Sequence, residues 1–520
     1  MKAGKLILMF VLLPVVSAMA VQPHSNKLFY TIQQLQQRNG WLESQNGAAL
    51  STYEEANFSN ASVSGFVTNG SLRNVCDPAN NQKAALNAQS YYRLNNIMLY
   101  GQFLFDYDVK KNQCWTSMTY PGSSTLLIGD KTPGNQVRET YYINGGIGIP
   151  LGAGFTIGGY FDFKGVNNAK KKDIRNKNDY GYYHIKPSLM WERGAFRIGG
   201  NYSFGAETEK IEWLVAGDKM QHEVFFFEGL WFGPSQMTSS LITERRIERL
   251  VHEGALQMEY KIGQARLFNQ FRFNKEELAV FVEVEEERGG ENKKVGYAYE
   301  GMLWLPASQF THSLKWSGDH SFVKSYQNLQ QRELVNYIYR YVQYGTLLRY
   351  TESEWNAGLR YELAHIRNNN TWNRSWSLTL DGDFSFHNQK FRTYPTLFTQ
   401  QIRQINTSVG FEKNLLFSKS MLDLGLEVFW KTGWGNPVDV SAPNSANGYK
   451  YQEELQKAEY AYLTAQLAGC GVSAKYTWFQ NALTGFAPYA KASCFYREAI
   501  ADALKNKSRT HVELTLGLNF

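Results

Sequence analysis

Long apolar runs are missing from this sequence. After residue 16 no uninterrupted stretch approaches the ~18 residues of a membrane-crossing helix, and the mean hydropathy of −0.42 excludes a bundle of such helices. Catalytic signatures are missing too: there is no Gly-x-Ser-x-Gly elbow, no His-Glu-x-x-His pair and no phosphate-cradling glycine loop, and the 9 histidines are scattered. The adjacent pairs His312/Ser313 and His320/Ser321 would point to opposite faces of a strand, so neither couples a nucleophile to its own base. No cysteine–histidine spacing suits zinc. No catalytic residue, metal or cofactor is therefore assigned. A Pro-, Ser- or charge-rich linker is also lacking across 520 residues, which favours one large closed sheet over a string of soluble domains. Charge of one sign is barely in excess. The formal +7 falls to +5 without Lys2 and Lys5, too weak and dispersed for nucleic acid, though it permits contact with anionic lipopolysaccharide.

What is present is alternation. From Arg509 to Phe520, Val512, Leu514, Leu516, Leu518 and Phe520 share one face, and His511, Glu513, Thr515, Gly517 and Asn519 share the other. A clean period of two needs oil on one side and water on the other, as in the closing strand of an outer-membrane barrel. The start of the chain agrees. Lys2 and Lys5 precede an apolar run from Leu6 to Val16, followed by Ala18-Met19-Ala20, so residues 1–20 read as a cleaved secretory signal. The aromatic content of 15% suits girdles at the two membrane boundaries, with Trp191, Trp430, Tyr476, Trp478 and Phe520 as candidates.

Between the ends, Phe155, Ile157, Phe161 and Phe163 alternate with Thr156, Tyr160, Asp162 and Lys164, and similar patterns recur from about residue 59 onward. The expected fold is all-β: a transmembrane antiparallel up-and-down β-barrel over 58–520. Candidate strands number about 18, among them 338–351, 354–367 and 458–479. Allowing for one or two misread segments and for the even count of single-chain bacterial barrels, about 16 strands are expected, within a range of roughly 14–18. Residues 21–57 stand apart as a short helical segment. Ser25 or Asn26 would cap it, Leu28, Ile32 and Leu35 would line one face, Gly40 would end it, and the whole would serve as a lumen plug or cap. Long outer loops are expected at 167–180, 209–247, 283–294 and 434–457, with a short periplasmic turn at 480–485.

Carboxylates inside strand patterns cannot face lipid, where each costs roughly 2–4 kcal/mol at the midplane. Asp106, Asp162, Asp381, Asp383, Asp423, Glu427 and Glu513 are thus lumen-lining candidates, and the bore should be polar rather than greasy. Fixed negative charge there favours cations or hydroxyl-rich solutes. Satisfaction by lumenal Arg or Lys is the competing account. The Glu283–Glu287 run and the cluster Lys170, Lys171, Lys172, Arg175, Lys177 read as solvated loop faces. With a turn over Gln480–Gly485, Cys470 and Cys494 would lie opposite one another on neighbouring strands, within reach of a disulfide. The function expected is a channel or facilitator for small polar solutes. A non-conducting scaffold or accessory subunit of a cell-surface complex comes next, and an integral outer-membrane hydrolase last.

The signal, the segment Trp41…Ser44-Gln45-Asn46-Gly47-Ala48, the stretch Asp173-Ile174-Arg175-Asn176 and the aromatic-ended last strand resemble a family of Bacteroidota outer-membrane β-barrels carrying a domain of unknown function. Pro would be expected where Ile174 stands. The resemblance implies outer-membrane location, insertion by the outer-membrane assembly machinery through 509–520, and a TonB-dependent receptor or surface lipoprotein of a nutrient-uptake system as partner.

Overall fold

Segments with a period of two become strands, since pairing along both edges leaves one face to lipid and one to the bore. The structure, a computed structural model, describes residues 31–217, 222–238, 244–282, 287–335, 338–368, 373–394, 396–439, 451–479 and 486–520. The signal at 1–20 and Glu283 to Glu286 lie outside these described residues. The strands are β1 (Phe58–Gly70), β2 (Asn80–Leu94), β3 (Ile97–Gln113), β4 (Leu127–Asp130), β5 (Gly134–Gly152), β6 (Phe155–Lys170), β7 (Arg175–Arg193), β8 (Phe196–Leu214), β9 (His222–Phe227), β10 (Ser235–Thr238), β11 (Glu244–Ile262), β12 (Ala265–Val282), β13 (Glu287–Pro306), β14 (Phe310–Val335), β15 (Ile338–Asn368), β16 (Asn373–Thr393), β17 (Thr396–Leu416), β18 (Ser420–Asn436), β19 (Leu467–Trp478), β20 (Ala487–Ala499) and β21 (Ser508–Asn519).

Eighteen of them form one antiparallel sheet that closes on itself, while β4, β9 and β10 form a small separate sheet. Closure is made by β1, which pairs with β2 on one side and with β21 on the other. The backbones of Ser59 and Phe520 exchange two hydrogen bonds of 2.8 and 3.0 Å at the seam. Phe155, Ile157, Phe161 and Phe163 are exposed on the outside, while Thr156, Tyr160 and Asp162 are buried inside. Such a closed cylinder with an apolar exterior is an integral outer-membrane barrel in contact with lipid.

The count is eighteen strands, at the upper end of the expected 14–18 rather than at sixteen. Residues 338–351 and 354–367 are one 31-residue strand, β15, because no Gly, Pro, Asn or Asp interrupts Thr351-Glu352-Ser353-Glu354. The first part of 458–479 is helix: Gln452–Thr464 forms α3, rich in Ala, Glu, Lys and Leu, whose alternating Tyr460 and Tyr462 imitate a strand. Strand β1 supplies the remainder. The expected loop at 167–180 is mostly β6 and β7, and 209–247 contains the end of β8 together with β9 and β10.

All four cysteines are free. Cys470 faces Tyr496 and Cys494 faces Val472, so the hairpin pivots about residue 483 rather than 482. A one-residue shift of the pivot moves each partner by two, and the Cys470–Cys494 bond is out of reach.

Asn95-Asn96, Ala153-Gly154, Gly194-Ala195 and Gly263-Gln264 make tight turns at the rim where β1 begins and β21 ends. The long connections 114–133, 215–243 and 437–466 leave the opposite rim. Short turns are periplasmic and long loops external in barrels of this kind.

Candidate functional site

The bore is filled from both ends. At the periplasmic end Thr31 caps α1 (Ile32–Arg38) through a reciprocal pair of bonds with Gln34, 3.1 and 3.2 Å. Ser25 and Asn26, the expected caps, lie outside the described residues. Gly40 does not end the helical segment but opens a second turn, α2 (Gly40–Glu43), whose Trp41 N–H donates to Asn39. The wall has been cut to receive this segment. A Cβ on Gly158 would collide with the Ala48 backbone, one on Gly148 would lie 2.8 Å from the Gly47 carbonyl, and one on Gly199 would lie 2.9 Å from the Trp41 ring. Only glycine leaves room for so close an approach.

Trp41 is fully buried, edge-on to Phe268 at 5.3 Å, and packs with Met190, Met302 and Trp304 of the wall. Ile32, Leu35, Leu50 and Tyr53 pack against Tyr91, Met98 and Tyr160. The expectation of an entirely polar bore therefore fails at this end, where apolar inward side chains receive the segment. Asn46 donates to Gln257 at 3.0 Å, and the Ala48 N–H donates to Ser188 at 2.9 Å.

At the outer end the described parts of three connections pack together as a lid. Phe232 stacks on Phe391 at 4.4 Å and lies 4.6 Å from Phe398. Trp231 donates to Glu459 of α3 at 2.7 Å, and Gln456 donates to the Leu230 carbonyl. Across the bore, Lys170 is not a solvated loop lysine: it is buried, donating to both Asp130 oxygens at 2.8 Å and to the Thr132 carbonyl at 2.7 Å. Asn176 and Asn178 donate to the Ser117 carbonyl at 3.2 and 2.6 Å. Dense packing around α3 pushes the Glu459 carboxyl up to about 7, against the opposing pull of the Trp231 N–H. A carboxyl so raised is neutral in the closed lid and ionised in the open one between pH ~4.5 and ~7. Lid closure should therefore be firmest below pH ~4.5 and weaken up to pH ~7. The change is damped by solvent, since Glu459 is half-buried. Glu459→Gln should flatten this dependence, read as hydrogen exchange of α3 against pH; an unchanged profile would show that another group governs it.

Between the two fillings a cavity of ≈ 530 Å³ lies against β12 to β18. Its inner side is Glu43 and Ser44 of the N-terminal segment, tied to the wall by Lys315, which donates to both Glu43 oxygens at 2.6 and 2.7 Å. Asp381, Asp383 and Glu427 line it together with Glu300 and Arg360. Arg360 sits 3.6 Å from Asp381, and Arg272 pairs with Glu300. Among the described residues Asp383 and Glu427 form no ion pair.

The other four carboxylates stand elsewhere. Asp106 pairs with Lys83 at 3.1 Å, and Asp162 pairs with Lys186 at 2.7 Å while accepting from Tyr142 at 3.0 Å. Asp423 accepts from Asn414 at 2.5 Å. Glu513 lies 3.8 Å from Lys491 and accepts from Ser493 and Thr515. The acidic groups thus form one local patch rather than a ring. Lys315 and Arg360 went unnoticed in the sequence, although carrying the inward parity of β14 and β15 along each strand would have found them.

Residues 47–520 match the family of unknown function DUF6850. The chain belongs to that family. Nothing among curated proteins matches it. Among solved structures it is similar to BauA, the ferric preacinetobactin receptor from Acinetobacter baumannii, with 8% identity, 90% of this chain and 80% of that one covered, and a TM-score of 0.37. The outer membrane transporter YddB from Escherichia coli gives 6% identity, 88% and 80% coverage, and 0.40. OccAB3 of Acinetobacter baumannii gives 9%, 89% and 99%, and 0.27. Both motifs behind the family resemblance lie at the fillings, Trp41 to Ala48 in the N-terminal segment and Asp173 to Asn176 at the lid's seam with the wall.

Proposed function

We propose that this chain is a gated outer-membrane facilitator for small cationic or hydroxyl-rich solutes. The lid closes its outer mouth and the docked N-terminal segment its periplasmic one. The observation that carries the reading is the acidic cavity, where Asp383 and Glu427 offer carboxylates that form no ion pair among the described residues. Fixed negative charge in a wet bore lowers the cost of a passing cation and raises that of an anion. In planar bilayers the Asp383→Asn/Glu427→Gln variant should lose cation preference by roughly twofold or more at low salt, with little change at high salt. Anion preference in the unaltered protein, or no effect of the substitutions, would reject the reading.

A second reading, an accessory subunit of a surface complex, is favoured by one feature. Strand β13 pairs with β14 only to Gln327, and β16 with β15 only from Tyr350, so the backbones of residues 328–335 and 338–349 pair as strands only with each other, tied to the wall by Asn328 and Gln330 donating to the Arg288 carbonyl. Isolated two-stranded hairpins are marginal in water, and this one exposes Leu329, Leu334, Tyr344 and Leu347. On this reading its partner is a TonB-dependent receptor or a surface lipoprotein in a Bacteroidota envelope; co-purification from native membranes tests it. Assembly of the barrel through β21 belongs to the same proposal.

A further inference from the structure

Beneath the lid lies a second cavity of ≈ 320 Å³, roofed by Gly122, Ser124 and Thr125 and walled by β11 to β16. Strand register sets its chemistry. Lys294 of β13 and Glu352 of β15 are both in register with Val323 of β14. Their backbones are therefore two strand spacings apart, ~9.6 Å, with an apolar side chain between them. Among the described residues they form no ion pair with each other. On the Lys294 side, Arg249 shares Glu276 with Lys294 at 3.8 and 3.4 Å. Arg249 also lies 3.6 Å from Glu207. On the other side Glu352 and Glu354 share a single imidazole, His387, at 3.5 and 3.8 Å. One end is cationic with its charge largely matched; the other keeps carboxylate in excess.

On the Lys294 side of the cavity stands Asn292, next but one to Lys294 on β13 and in register with Ser325 of β14. Its amide nitrogen donates to Thr125 and Ser124 of the roof at 2.9 and 3.2 Å. Its carbonyl oxygen is buried and receives no donor. A buried acceptor beside a polar cavity is costly unless something donates to it. Apart from His387 no ring lines the space, so nothing there stacks on a sugar.

We propose that this cavity binds an unblocked dipeptide. Its ammonium donates to Glu352 and Glu354, its amide N–H to the Asn292 oxygen, and its carboxylate accepts from Lys294 and Arg249. Two extended residues span ~7 Å, which fits between wall positions ~9.6 Å apart whose side chains reach inward. A single amino acid holds its two charges too close together to meet both ends and has no amide to offer Asn292. The proposal names a solute class for the path proposed above and rests on that reading for traffic, but not for binding.

Titration calorimetry of the full mature protein in detergent, with diglycine as probe, tests it. Diglycine should bind saturably. N-acetyldiglycine should bind at least tenfold more weakly, and Glu352→Gln/Glu354→Gln should weaken diglycine to a similar degree. Lys294→Met should weaken diglycine but leave diglycine amide unchanged, a selectivity that misfolding cannot imitate. No saturable binding of diglycine, or equal binding of the free and blocked forms, would overturn the site. Binding without dipeptide flux into proteoliposomes would uphold the site and count only against the facilitator.

Discussion

Deleting residues 21–57 should turn a quiet barrel into one that conducts widely and steadily in planar bilayers. Eighteen strands enclose an aqueous bore when nothing fills it. In this protein the periplasmic part is occupied by the segment ending at β1, seated on Gly148, Gly158 and Gly199. The seat is tight. Truncating a fully buried aromatic costs about 3–5 kcal/mol, so Trp41→Ala alone should loosen the segment measurably. Since a truncated chain can fail in assembly, Gly148→Phe serves as a full-length control: its Cβ would lie 2.8 Å from the Gly47 carbonyl, and its three nearest neighbours all belong to the segment rather than to the wall, so the ring should expel the segment and spare the strand pairing. Conductance that stays at the level of the unaltered protein in both variants would mean that the segment does not seal the mouth.

Breaking the Lys170–Asp130 pair should have the next largest effect. Both side chains are almost wholly buried, at 0% and 3% exposure. Removing one partner strands an uncompensated charge in a dry joint, at a cost of about 3–5 kcal/mol. Lys170→Met should therefore loosen β4 from the wall and speed amide exchange by roughly two to nearly four decades. The amides to follow are those of Trp115 and Ser117, which bond to Asp130 and Ile128 across the lid loop. Replacing both members with apolar residues, Lys170→Met/Asp130→Leu, should recover much of the loss, because no charge is then left alone. Exchange unchanged in the single variant would show that Asn176, Asn178 and the Phe232 stack hold the lid without the ion pair.

The lipid-facing half of the molecule was legible residue by residue. Phe155 to Lys164 and Val512 to Phe520 alternate without error, because a side chain on the wrong face would meet either hydrocarbon or water. The fillings were not legible in that way. Trp41, Leu42 and Leu50 carry no period that says which wall they meet, and their sockets are glycines scattered over β5, β6 and β8. Helix α3 was hidden by tyrosines spaced two apart, and Lys170 looked like any other lysine in a basic run. Parity singled out seven carboxylates as lumen candidates, but it carried no information on their grouping. Asp381, Asp383 and Glu427 share a cavity, whereas Asp106 and Asp162 face lysines on neighbouring strands.

By itself the sequence determined the cylinder and its location, both consequences of a local period of two set against lipid. The strand count, the pairing of Cys470 and Cys494 with residues other than each other, the two fillings and the cavities between them were decided only in three dimensions. Those features depend on registers and contacts between residues far apart in the chain, such as Lys131 and Tyr451 at 320 positions and Asn60 and Asn519 at 459, and no local pattern encodes them.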